Sequence, residues 1–176
     1  MQIVKWAPVI EKAYIPHMGA ELVQHLKGRK GTVLYESCSA WQLLYNTLLE
    51  RGLPVQEVSF NDNGKPYFTN SKIFFSLSHS HGLCAIAISD ITVGVDIEVI
   101  KDHYNTHMVE RSLCNKEREV FKGDFTRIWC RKEAIAKKKG TGITGYPSDI
   151  DTTKESFREK SIFFREKFYW LVCTAD

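Results

Sequence analysis

The sequence predicts an α+β fold, and three observations carry that reading. Near-strict alternation from Val93 through Val99 marks a strand. Trp41, Leu44, Tyr45, Leu48 and Leu49 recur at helical spacing and mark a core helix. Strand-like and helix-like runs follow one another in mixed order rather than in regular strand–helix alternation.

The elements follow in chain order. Ile3 to Trp6 reads as a short strand before a proline-marked turn. Ala20 to Leu26 reads as a helix that runs into the basic break Lys27-Gly28-Arg29-Lys30-Gly31. The helix bearing Trp41 takes Ser37 or Ser39 as its cap and Gly52-Leu53-Pro54 as its stop. Asn61 to Pro66 is a turn rich in residues that tolerate left-handed backbone. Ile73 to Leu77, Leu83 to Ser89 and Val93 to Ile100 read as strands, and a helical stretch covers His107 to Phe121. A further helix runs from Phe125 to Lys139, capped by Asp124 and stopped by Gly140. Ile162 to Phe164 and Phe168 to Cys173 flank Arg165-Glu166-Lys167 as a hairpin.

Composition narrows the class. A chain of 176 residues can bury a core as one domain or two small halves. No apolar run approaches the ~20 residues that span a bilayer, so no membrane partner is expected. Met1 to Trp6 lacks the apolar stretch of a signal peptide, which points to the cytoplasm. A net charge of +3 is too mild to argue for nucleic acid. The five cysteines are scattered with no C-x-x-C pair, against a zinc knuckle or disulfide framework. Cys84 and Cys173 sit in apolar runs and read as small buried thiols.

Three groups of residues carry chemistry. Asp96 and Glu98 share one strand face, about 6.6–7 Å apart, while Val93, Val95, Ile97 and Val99 share the other. Carboxylates held so repel unless a cation or base intervenes, and oxygen-only ligands beside a phosphate favour Mg²⁺ over zinc. Gly94 on that face leaves room for close approach to the backbone. Taken alone, the triplet reads as a solvated edge-strand face. Glu133 and Lys137 lie four apart on one helix face; alone, they make a surface pair worth about 0.3 kcal/mol. Trp129, one turn earlier, reads as a packing residue. Ser76, Ser78, His79, Ser80 and His81 form a donor cluster able to bind phosphate oxygens, although composition alone makes it a polar turn with His81 solvated. His103 and His107 have the spacing of a zinc pair but no third ligand nearby. Gly140-Thr141-Gly142 follows a helix and so is its stop, not a nucleotide loop.

The order and spacing of these segments resemble the signature of the 4′-phosphopantetheinyl transferases, in particular their larger, surfactin-type branch. Trp129, Lys132, Glu133, Ala134 and Lys137 fit W-x-x-K-E-A/S-x-x-K. Phe75, Ser78, His79 and Ser80 fit F-x-x-S-H-S, and Gly64-Lys65-Pro66 fits G-K-P. The resemblance spans roughly Gly64 to Ile143.

It implies a monomer of two similar α+β halves, 1–91 and 92–176, with coenzyme A between them. It implies that Asp96, Glu98 and Glu133 hold Mg²⁺, that Glu133 takes the proton of a serine, and that Lys137 steadies the phosphates. Gly64, Lys65, Pro66, Ser78 and His79 would line the coenzyme pocket toward its 3′-phosphate, with Arg29-Lys30 nearby. The reaction implied moves the phosphopantetheine arm of coenzyme A to a serine of an apo acyl- or peptidyl-carrier protein. Lys116, Arg118 and Arg131 are candidate docking cations on charge alone. Two departures stand out: Glu36 precedes Ser37 where many relatives carry arginine, and the chain is short for the branch. The rival readings are a non-catalytic relative that binds coenzyme A or carriers, and a Mg²⁺-dependent nuclease. Against the nuclease, Glu98 is followed by Val99 and Ile100 before Lys101, not by the E-x-K of such strands.

Overall fold

A computed structural model describes residues 1–175 and gives an α+β arrangement of three small antiparallel sheets. The first sheet has the order β1-β5-β4, from β1 (Gln2–Pro8), β4 (Phe74–Ser80) and β5 (Leu83–Ser89). A hairpin joins β2 (Val58–Phe60) to β3 (Pro66–Phe68). The last sheet has the order β6-β8-β7, from β6 (Val95–Val99), β7 (Phe157–Phe164) and β8 (Lys167–Thr174). The helices are α1 (Ala20–Leu26), α2 (Gly31–Glu50), α3 (Thr106–Ser112), α4 (Asn115–Val120) and α5 (Phe125–Lys139). No helix among the described residues is long and apolar enough to cross a membrane.

Alternation within the strands splits the apolar residues between two cores. Ile86 and Ile88 of β5 and Phe75 of β4 pack with Leu22, Trp41, Leu44 and Leu48 of α1 and α2. Leu83, Ala85 and Ala87, on the opposite face of β5, pack with Val95, Ile97 and Val99 of β6 and with Tyr169 and Leu171 of β8. α5 covers the remaining face of the last sheet, Cys130 and Ala134 lying on Val172. Asp124 caps α5 by accepting from the Arg127 amide, and Gly140 ends it in the left-handed conformation at φ 72°.

Several elements differ from the sequence expectation, each for a tertiary reason. α2 begins at Gly31, so Ser37 and Ser39 are interior residues rather than caps. Their hydroxyls serve other segments: Ser39 accepts from the Ile10 amide and Ser37 from Arg29. Leu49, on the expected core stripe, is exposed. The helical stretch after residue 105 is two helices, broken where Leu113 and Cys114 are extended and the Glu117 carboxylate accepts from the Cys114 amide. β7 starts at Phe157, five residues early, because Arg127 and Arg131 of α5 cover its Glu159. Its hairpin turns on Arg165 and Glu166 alone, both left-handed, which matches the twist of the paired strands.

The two larger sheets meet edge to edge without a backbone ladder between β4 and β6. Ser76 Oγ accepts from the Val95 amide at 3.0 Å, and Ser78 Oγ from the Ile97 amide at 3.3 Å. Ser80 Oγ donates to Glu98 Oε1 at 2.9 Å, and that oxygen also accepts from the Val99 amide. The serine run is therefore strand, not turn, because its buried hydroxyls satisfy an edge that would otherwise lack partners.

α5 lies directly on the chain at Gly94. A Cβ there would sit 1.8 Å from the Ala134 carbonyl oxygen, so the space expected for a ligand is taken by the helix backbone. Gly94→Ala must push α5 off β6 and is expected to cost about 3 kcal/mol, read as a lower denaturant midpoint. An unchanged midpoint would contradict this packing.

Candidate active site

A cleft of about 410 Å³ runs along the β4–β6 seam between α2 and α5, with the Asn63–Pro66 turn on its rim. At one end β6 presents Asp96 and Glu98, and α5 presents Glu133 and Lys137. Lys137 Nζ lies 2.6 Å from Asp96 Oδ1 and 2.9 Å from Ser78 Oγ. Ser78 also donates to Asp96 at 2.8 Å, so its hydroxyl uses its one hydrogen and accepts twice. Glu133 accepts no hydrogen bond among the described residues. Burial pushes its carboxyl above the usual glutamate range; Asp96 and Glu98 add to the rise, against the pull of Lys137.

The three carboxylates expected as metal ligands thus line one cleft, yet no three acidic, histidine or cysteine groups among the described residues form a ready ion cage. Asp96 is held by Lys137 and Ser78, and Glu98 by Ser80. Lys137 supplies the positive charge that Asp96 needs. His81 is tied rather than merely solvated, its Nδ1 2.8 Å from Ser80 Oγ and 3.7 Å from Glu98. His103 and His107 belong to no such cage either.

The opposite end is built around His79. Its Nδ1 lies 3.1 Å from Glu36 Oε2 and its Nε2 3.3 Å from Ser37 Oγ. Arg29 donates to Ser37 at 2.7 Å and contacts His25, whose ring stacks on Phe60 with centroids 4.1 Å apart. Burial lowers the His79 pKa, and Lys137 and Arg29 lower it further, against the Glu36 carboxylate. Lys30 is exposed and does not join this group. Gly64, Lys65 and Pro66 line the rim, and Lys65 Nζ donates to the Lys138 carbonyl at 2.8 Å. Asn61 and Asn63 donate to the Gly140 carbonyl, so this turn caps the C-terminus of α5. Burial holds the Lys65 ammonium below the usual lysine range.

Lys132 never reaches the cleft. It is wholly buried, bonded to both Glu117 oxygens at 2.9 and 2.6 Å and to the Ile150 carbonyl at 2.5 Å. Glu117 also accepts from the Cys114 and Thr152 amides and the Thr152 hydroxyl. This pair fixes the rotation of α5, which turns Glu133 and Lys137 toward the seam. Nothing in the charged run Asn115–Val120 distinguishes Glu117 from a solvated glutamate, so sequence alone did not reveal it. His25 and Glu36 were missed as site residues for the same reason, since their partners are remote in sequence. Arg131 is not a free docking cation, being paired with Glu159 and stacked on Phe157; Arg118 is exposed but donates to the Leu113 and Glu110 carbonyls, and Lys116 is exposed.

Burial alone would raise the Glu117 pKa, but the Lys132 ammonium and the amides and hydroxyl around it win and hold it low. A depressed carboxyl stabilises the fold above its unfolded pKa, and that contribution is lost as pH falls through the folded value. Glu117→Ala, which strands a buried ammonium, is expected to cost about 3–5 kcal/mol at neutral pH. Its stability deficit should shrink as pH falls below the ordinary glutamate range. Chemical denaturation across pH checks both, and a constant deficit would contradict the linkage.

Comparison with known proteins identifies the family. The model of the 4′-phosphopantetheinyl transferase superfamily matches residues 92–175, which carry Asp96, Glu98, Glu133 and Lys137. The chain is 35% identical over 152 residues to the 4′-phosphopantetheinyl transferase AcpT of Salmonella typhi, covering 77% of this chain and 76% of that one. It is 33% identical over 132 residues to AcpT of Escherichia coli strain K12, covering 69% and 67% of the two chains. It is also 32% identical over 102 residues to the 4′-phosphopantetheinyl transferase psf-1 of Bacillus pumilus, covering 52% and 44%. The chain therefore belongs to the 4′-phosphopantetheinyl transferase superfamily and is an enzyme of that class.

Proposed function

We propose that the protein moves the 4′-phosphopantetheine arm of coenzyme A to a serine of an apo acyl- or peptidyl-carrier protein, releasing adenosine 3′,5′-bisphosphate. The observation that supports this most is a single cleft with an unbonded, half-buried carboxylate and a lysine at one end and a histidine–arginine group at the other. That layout suits a pyrophosphate whose nucleotide half extends away from the reacting phosphorus. Phe60 and Trp41 add an aromatic wall suited to a purine. In this reading residues 1–91 and 92–176 are two similar halves with coenzyme A between them. On the same reading the protein is a monomer in the cytoplasm, and five scattered cysteines without a C-x-x-C pair are compatible with that compartment.

The donors around Glu133 fit Mg²⁺: they are carboxylate oxygens, and Glu133 makes no hydrogen bond or ion pair among the described residues, since the nearby Lys137 is bonded to Asp96 and Ser78. Asp96, Glu98 and Glu133 would hold it, and a bound ion would screen the phosphates and favour departure of the bisphosphate. The chain's own groups do the rest. Glu133, its basicity raised by burial and by its carboxylate neighbours, accepts the proton of the carrier serine. The serine oxygen bonds to the β-phosphorus as the bond to the bridging oxygen breaks, and the electron pair leaves with the bisphosphate. Lys137 moves from Asp96 to the phosphates and offsets charge on the leaving group.

Intact mass spectrometry of an apo carrier incubated with the protein, coenzyme A and Mg²⁺ tests the reading. A gain of one phosphopantetheine arm, abolished by EDTA, is expected. Glu133→Gln and Asp96→Ala should keep the parent circular dichroism yet slow transfer at least about a hundred-fold. Coenzyme A binding without any mass gain would make the protein a non-catalytic binder, and full transfer by Glu133→Gln would remove that residue as the base.

A further inference from the structure

We infer that Glu36 is the positioning residue for His79, and that the pair sets how strongly the enzyme prefers coenzyme A over its form lacking the ribose 3′-phosphate. The inference rests on the reading of the cleft as the coenzyme A site. With the reacting phosphorus at Glu133 and Lys137, the nucleotide half occupies the end lined by His79, Arg29, His25 and Phe60. Any phosphate on the ribose meets the cations there.

Those cations are not equally available. The Lys65 ammonium is bonded to the end of α5. Arg29 is spread over Ser37 and His25. His25 faces Arg29 with no carboxylate beside it among the described residues, and burial and that guanidinium both lower its pKa. His79 is therefore the imidazole here with an acid behind its ring. An ionised Glu36 can only accept, so the proton of neutral His79 lies on Nδ1, and Nε2 turns its lone pair toward Ser37 and the cleft. A phosphate can bond to Nε2 only if the ring takes a second proton. Lys137 and Arg29 oppose that gain, as does burial, and Glu36 is the charge that favours it.

Glu36 is itself pinned. Its second oxygen accepts from the Gly82 amide at 3.0 Å, so the carboxylate bridges α2 to the β4–β5 turn behind the imidazole. The ring is therefore held in one orientation and poised to become an imidazolium opposite a phosphate. Carboxylate, imidazole and hydroxyl here share the order of a hydrolytic triad, but they are not one. Ser37 lies within α2, where backbone N–H groups are spent on the helix and none is left for an oxyanion.

Glu36 thus acts only through His79, and only on a donor that carries the extra phosphate. Steady-state transfer to one apo carrier is measured with coenzyme A and with 3′-dephospho-coenzyme A. Glu36→Gln and Glu36→Ala are expected to raise KM for coenzyme A about ten-fold with kcat little changed, while KM for the dephospho donor moves less than about two-fold. The dephospho donor reports on folding within the same preparation. His79→Gln should reproduce the donor-specific loss and add little to it in the double variant. Equal shifts with both donors, or none with either, would overturn the inference and leave the transferase reading standing. An unmodified enzyme that transfers from neither donor would overturn both.

Discussion

Three serine hydroxyls bridge two sheet edges, and the placement of the cleft depends on them. An unpaired strand edge leaves every second N–H without a partner, at about 1–3 kcal/mol for each buried one. β4 and β6 meet that demand with side chains instead of a ladder, through Ser76 and Ser78 to the Val95 and Ile97 amides. Ser78 and Ser80 then have hydrogens left over, and these hold Asp96 and Glu98 in place. The bonds that join the sheets therefore also aim the two acids, and the cleft between α2 and α5 opens along the same seam.

The other half of the site is set by how α5 is fixed. Gly94 lets the helix touch the backbone beside β6, and Lys132 with Glu117 anchors its buried side. Asn61, Asn63 and Lys65 bind its last carbonyls. Held at three places, α5 faces Glu133 and Lys137 toward the acids of β6. The charges then sort themselves: Lys137 pairs with Asp96, and Glu133 remains half-buried near like charges with its pKa raised. One helix turn thus carries an unbonded carboxylate and a lysine paired across the seam.

Much of this was legible in the sequence where a local pattern decides the outcome. α1 and α5 have the predicted bounds, since an apolar stripe, an aspartate cap and a terminal glycine are local signals. Asp96, Glu98, Glu133 and Lys137 read alone as surface features and stood out only through the family resemblance, and all four line the cleft. What escaped depends on partners far along the chain. The serine run looked like a turn because nothing local shows that its hydroxyls meet an edge 19 residues away. Glu117 drew no notice because its lysine lies 15 residues on, and Glu36 looked like a plain departure because His79 is 43 residues away. Buried polar pairs leave no periodicity to read.

The central claim is that the seam end of the cleft receives a pyrophosphate and its cation, with Lys137 exchanging Asp96 for a phosphate. A crystal structure with coenzyme A and Mn²⁺, the ion located by anomalous scattering, tests it most directly. The account predicts an ion peak among Asp96, Glu98 and Glu133, with Lys137 Nζ turned onto a phosphate oxygen. A peak elsewhere, or Lys137 still bonded to Asp96 beside a bound pyrophosphate, would contradict it.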